Sequence, residues 1–342
     1  MPAGVLELFA RWPSCAHASP GGVDRVVRLA PAVRLSTAIR AAAVTVLAAG
    51  VAAPLVRRHL KLPPPVVTAT AGAAPFGLCV LYPRTRARDA AVCVLQMWAY
   101  IATYEMPNDD PEALERRVRV AYPVRADRLI GAGTTPTLRL QRALGHAGGF
   151  RRWEKALVWS HWLWFLFPHG TIAYLLARHP ERFARGAAHI YATFDLGLVG
   201  YWSVPTAPPW YAAKEGLMDD GMTPELRRMM VEYGEEFWGS GWGPLYGLLA
   251  GNPLAAMPSL HFATSVMAAH LLAETGPVAA SVGWAYAGTL GVALVYLGEH
   301  YVVDLAAGLA LAEGIRRSAP AISPLLARVS AGVQALEARA RA

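Results

Sequence analysis

Three side chains in the last third of the sequence could do chemistry together. His261 opens an apolar run that ends at Ala273, and the turn from Glu274 to Pro277 reverses the chain. A second run returns to Leu297, and His300 and Asp304 open a third. That order brings His261 and His300 side by side at one end of a helical pair, at a membrane surface. The four-residue spacing then puts His300 and Asp304 on one helix face. A neutral imidazole is a nucleophile, and a carboxylate on its second nitrogen fixes the tautomer, so Asp304 would aim His300 at an electrophile such as phosphorus. A second, protonated histidine can hand a proton to the departing oxygen, which suits His261. The same trio could ligate zinc or carry protons through a transporter, and polar residues at helix starts also sit at an interface without any chemical task. A transporter would show repeated halves and broken helices at the membrane midplane, and the sequence has neither sign.

What must position these residues is a bundle in a bilayer. With 54% apolar and 16% charged residues, the chain is too apolar for an ordinary soluble protein. Runs of spanning or near-spanning length fall at about 38–56, 65–82, 89–105, 155–177, 187–204, 258–273, 278–297 and 300–318. The expected fold is therefore all-α, a polytopic membrane helical bundle. The net charge of +8 comes from arginines flanking apolar runs, which points to anionic lipid headgroups and not to nucleic acid. Cys15, Cys79 and Cys93 are odd in number and lack CxxC spacing, so neither a disulfide framework nor a structural zinc site is expected. The first residues lack a basic start before a long apolar stretch, so no cleaved signal peptide is expected. Three arginine groups, at 84–88, 178–185 and 316–317, fall on one side if eight helices alternate. By the positive-inside rule that side is cytoplasmic, which leaves His261 and His300 on the extracytoplasmic face of a multi-pass cell-membrane protein. Arg57, Arg58 and Lys61 run against this count.

Pro258-Ser259-Leu260-His261 and Gly298-Glu299-His300-Tyr301-Val302-Val303-Asp304 resemble the second and third motifs of the type 2 phosphatidic acid phosphatase (PAP2) superfamily. Pro205-Thr206-Ala207-Pro208-Pro209-Trp210-Tyr211 is similar to its inositolphosphotransferase branch, which contains the aureobasidin-sensitive inositol phosphorylceramide synthase. The resemblance covers about 153–316. It implies a PAP2-like six-helix catalytic core that works without metal or cofactor. It also implies His300 as the phosphate-accepting nucleophile, Asp304 as its partner, His261 as the general acid, a membrane phospholipid as donor and a lipid or polyol as acceptor. The phosphatase members carry a Lys and an Arg-Pro in their first motif and a Ser-Arg ahead of the third, where this chain has Ala293-Leu294. Phosphate contacts must then come from elsewhere. That favours transfer of a phospho-polyol such as inositol phosphate to an acceptor alcohol, with hydrolysis of a lipid phosphate or polyprenyl diphosphate as the second reading.

The remaining chain supplies candidates for those contacts. Backbone N–H groups near Ser259, the ammonium of Lys214 beside Tyr211, and the apolar lid from Trp210 to Trp242 are expected to hold the substrate. His161 lies within an apolar run and is expected to face the cavity, while the tryptophans around it suit an interfacial belt. Thr223-Pro224-Glu225 reads as a helix start. Residues 106–154 read as short amphipathic helices on the membrane. The expected organisation is a cytoplasmic N-terminal segment at 1–35, N-terminal transmembrane helices and an interfacial segment at 36–152, the catalytic core at 153–318 and a cytoplasmic tail at 319–342.

Overall fold

The structure is a computed structural model and describes residues 24–145, 149–218, 226–249 and 251–342. Its helices are, in order, α1 (Asp24–Val56), α2 (Pro64–Leu81), α3 (Arg86–Glu105), α4 (Pro111–Arg117), α5 (Ala121–Ile130), α6 (Pro136–Leu144), α7 (Arg152–Trp162), α8 (Leu166–Arg178), α9 (Pro180–Ser203), α10 (Pro209–Lys214), α11 (Met229–Trp238), α12 (Trp242–Leu249), α13 (Leu260–Ala273), α14 (Pro277–Tyr296) and α15 (Val302–Arg341). Extended pairing among the described residues is limited to two isolated parallel bridges, Arg119 to Thr206 and Thr206 to Ala255. The chain is an all-α polytopic membrane protein. The Leu35–Val56 part of α1, together with α2 and α14, is long and apolar enough to cross a bilayer.

The core is built around α13. At 14 residues it is short for a span, yet Ala263, Thr264, Ser265, Met267, Ala268 and Ala269 along it are fully buried. Neighbouring helices α8, α9, α14 and α15 surround it, so its backbone is shielded by protein instead of lipid. Small residues let these neighbours come close. A Cβ at Gly308 of α15 would lie 2.5 Å from the Ser259 carbonyl oxygen, and one at Gly283 of α14 would lie 2.9 Å from the Ala269 Cα.

Several expectations are corrected. The span at 155–177 is divided into α7 and α8, because Pro168 lacks an N–H and its ring opposes the carbonyl of Trp164 four residues back. The chain instead turns through Leu163–Phe165 with bonds such as Trp164 N–H to the His161 carbonyl, at 3.1 Å. Helix α11 begins at Met229, after a non-helical Leu226–Arg228 stretch; the proposed cap at Thr223 to Glu225 lies outside the described residues, as does Cys15. The last helix passes 318 and runs on through Pro320 and Pro324 to Arg341, packing Val333 and Ala340 near Ala43 and Val80. Arg57 and Arg58 both pair with Asp109, at 2.8 and 2.6 Å, which ties the end of α1 to the segment after α3. Asp110 caps α4 by accepting from the Ala113 N–H.

The close contact at Gly308 yields a test. Gly308→Ala should lower stability by about 1–3 kcal/mol, because the added methyl meets backbone and not a movable side chain. Gly314→Ala, six residues along the same helix with open space around it, should gain from helix propensity instead. Thermal unfolding of both variants in one detergent checks the contrast.

Candidate active site

The first turns of α13 and α15 meet at a single point. Ser259 caps α13, its Oγ accepting from the Phe262 N–H at 3.3 Å, and its own N–H donates to the Asp304 carbonyl at 3.0 Å. This ties the start of one helix to the start of the other. Ser259 is fully buried, and its backbone N–H is engaged with protein, so the expected backbone phosphate contact at this residue is replaced by a positioning bond.

Across this junction the three reactive side chains form a line. The His261 Nδ1 and the His300 Nε2 are 3.1 Å apart, and the His300 Nδ1 lies 3.2 Å from the Asp304 Oδ2. The Asp304 Oδ2 also accepts from the Tyr301 N–H at 2.9 Å. His300 and Asp304 are buried, whereas His261 is partly open. Since His300 turns opposite nitrogens toward its two neighbours, the donors do not converge on one point. Among the described residues no group of three His, Cys, Asp or Glu side chains is arranged to hold a metal ion.

His161 joins this line. Its ring stacks on His261 with centroids 4.8 Å apart, placed there by the break after α7. The same break puts the Trp164 ring 4.1 Å from His261, and its indole N–H donates to the Thr264 Oγ1 at 3.0 Å. The tryptophans of α7 serve the lid more than a belt: Trp162 lies 5.5 Å from both Tyr233 and Trp242, and Trp159 lies 5.5 Å from Phe237.

The cation beside the His300 loop is Arg228, a different residue than expected. Lys214 is exposed at the end of α10. Tyr211, one position after Trp210 and so about 100° round the helix, packs beside Leu114, Ala207 and Leu254. Trp210 instead adjoins the His300 loop, its backbone N–H donating to the Gly298 carbonyl at 3.2 Å. The Arg228 guanidinium sits 3.6 Å from the Trp210 ring centroid, and its Nε donates to the Glu299 Oε1 at 3.3 Å. Arg228 Nη2 also donates to the Tyr246 hydroxyl at 2.6 Å. Burial pushes the Glu299 carboxyl up, against the opposing pull of Arg228 and His300.

Two further residues fix the geometry from the 106–154 segment. Asp127, fully buried on α5, accepts the Val302 N–H at 3.0 Å and the Val303 N–H at 2.9 Å, one on each oxygen. These are unpaired donors at the start of α15. Gln141 on α6 bonds Arg227 on both sides, accepting its N–H at 2.8 Å and donating to its carbonyl at 2.9 Å, and donates again to the Tyr296 carbonyl at 2.7 Å. It anchors the residue before Arg228 to the end of α14. The amphipathic pattern located these helices but gave no sign that they reach into the site.

Asp127→Ala should strand two buried N–H groups and lower stability by about 1–3 kcal/mol. It should also depress kcat more than it changes KM, since the helix start that carries His300 loses its support. Asp127→Asn, which keeps one acceptor oxygen, should lose less of both. Equal kinetics for the alanine variant and the wild type would show that the clamp is dispensable.

Residues 140–316 match the family model of the PAP2 superfamily. The chain is also 35% identical over 121 residues to the phosphoinositol dihydroceramide synthase of Bacteroides thetaiotaomicron, a stretch that covers 34% of this chain and 39% of that relative. No solved structure matches the chain.

Proposed function

The chain belongs to the PAP2 superfamily, and on that premise we propose that it is a membrane phosphotransferase that moves a phospho-polyol from a phospholipid to an acceptor alcohol. The observation that carries the reading is the line of His261, His300 and Asp304 at 3.1 and 3.2 Å at one end of an apolar bundle, with His300 and Asp304 buried and His261 partly open. His300 Nε2 attacks phosphorus and forms an N–P bond. The P–O bond to diacylglycerol breaks, and its oxygen takes a proton from His261. The acceptor hydroxyl then gives its proton to His261 and forms a new P–O bond as the N–P bond breaks. Asp304 holds the His300 Nδ1 proton throughout and balances the charge that develops on the imidazole.

Transfer in place of hydrolysis rests on excluding water. The segment from Arg228 to Trp242 lies over Trp162, beside His161, and its aromatic side chains suit that task. The similarity to a relative named phosphoinositol dihydroceramide synthase supports an inositol-phosphate-like headgroup and a lipid-alcohol acceptor. Charge supports an orientation. Arg182 and Arg185 gather on Glu274 at the end of α13 away from His261, and Arg316 and Arg317 gather on Glu313 in the interior of α15, which meets His270 near that same end. An arginine-rich end facing the cytoplasm puts the catalytic end on the extracytoplasmic side.

The test is made in vesicles holding phosphatidylinositol and a lipid alcohol. Diacylglycerol release should depend on the alcohol, should persist in chelator, and should fall by roughly 10⁴-fold or more in His300→Ala, which stays folded. Steady phosphate release from a simple lipid phosphate, indifferent to any alcohol, would assign the protein to the phosphatases instead.

A further inference from the structure

The residue before the nucleophile is a carboxylate, an unfavourable neighbour for an anionic substrate. Glu299 has a side chain only 11% exposed, and one of its oxygens accepts from Arg228 while the other has no hydrogen bond among the described residues. Arg228 in turn is pinned by the Trp210 ring and the Tyr246 hydroxyl. It gives two of its five N–H donors to Glu299 and Tyr246. The pair is thus a built, preorganised unit of a cation, a carboxylate with a free oxygen and an aromatic ring, attached directly to the His300 loop.

Charge decides what such a unit can accept. Arg228 and Glu299 cancel, so beside the histidine line the site offers no net positive charge. A phosphomonoester carries close to two negative charges at neutral pH, because its second pKa is near 6, so Arg228 would match only one of them and the other would stand against the Glu299 carboxylate. A phosphodiester carries one charge and can be met by Arg228 alone. The free oxygen of Glu299 then needs a donor, and a hydroxyl on the headgroup supplies one as a charge-assisted hydrogen bond.

We propose that Glu299 and Arg228 form a headgroup subsite that selects phosphodiester donors bearing headgroup hydroxyls and rejects phosphomonoesters. The inference rests on His300 being the phosphate acceptor, and it holds whether the second step is transfer or hydrolysis. It also accounts for the missing arginine at Ala293-Leu294. With a monoanionic substrate a single guanidinium suffices, and it is delivered from the lid.

The experiment uses the full chain in phosphatidylcholine vesicles holding a lipid alcohol, with diacylglycerol release as the readout for two donors, phosphatidylinositol and phosphatidic acid. Wild-type protein should prefer phosphatidylinositol. Glu299→Gln, similar in shape and uncharged, should lower kcat/KM for phosphatidylinositol by about tenfold or more and raise it severalfold for phosphatidic acid. Glu299→Asp, which keeps the charge, should retain the wild-type order of donors. A proportionate loss on both donors in Glu299→Gln, or a wild-type preference for phosphatidic acid, would overturn the subsite. Release that occurs without acceptor but still shifts between donors in Glu299→Gln would sink the transferase reading and leave the subsite standing.

Discussion

A helix that starts inside a protein brings N–H groups that nothing in its own backbone can satisfy, and the start of α15 is where this structure resolves that demand. Asp304 takes the Tyr301 N–H, and Asp127 takes those of Val302 and Val303. The carboxylate that satisfies the helix is also the one that orients His300. Structural and chemical roles therefore cannot be separated at Asp304. Because Ser259 donates to the carbonyl of the same residue, the start of α13, and with it His261, is held in register with that helix end. The tight approach of Gly308 to Ser259 keeps the two helices at the distance this register needs.

Several polar residues of the apolar bundle are matched by a partner on another element. Gln96 donates to Asp195 between α3 and α9 at 2.7 Å. Tyr296 donates to Glu154 between α14 and α7 at 2.7 Å, and Glu154 also takes the Arg151 N–H. His270 meets Glu313 between α13 and α15 at 2.6 Å. An unmatched group here would cost several times what it costs at a wet surface, so these pairs specify which helices neighbour one another. The line of His261, His300 and Asp304 is a further case, since at rest each of its members is bonded to the next.

What could be read from the sequence and what could not divides by range. His300 and Asp304 were legible because four residues is one helical turn, and their bond is local. His261 was legible as a polar opening to an apolar run, although its pairing with His300 over 39 residues needed the reversing turn at Glu274–Pro277 as well. The divided helix at Pro168 was legible in principle, since proline inside a run carries its own steric argument, but hydropathy alone smooths over it. Asp127, Gln141 and Arg228 were not legible. Their partners lie 175, 86 and 71 residues away, and no periodicity or short motif encodes contacts of that length. Lys214 looked the better cation because it follows a recognisable segment. Arg228 is the one at the site because Gln141 holds its neighbour and Trp210 carries its guanidinium.

The resting geometry constrains how the proposed reaction can begin. With His300 Nδ1–H given to Asp304, its Nε2 must accept, so the hydrogen shared across the 3.1 Å gap belongs to His261. The lone pair that would attack phosphorus is thus already engaged, and no phosphoryl group fits between two nitrogens at that separation. One histidine has to yield. His300 is fixed by its own backbone bond to the Leu294 carbonyl and by Asp304, and α13 is packed on all sides. The His261 side chain is tied down far less, by one hydrogen bond and by ring contacts with His161 and Trp164. Turning that side chain costs about 1 kcal/mol for the bond, well below the cost of shifting a close-packed helix. An entering phosphate can offset it by accepting the same N–H. The hydrogen that closes the site at rest is then the one that meets the substrate, and His261 arrives as a donor on the side of phosphorus away from His300.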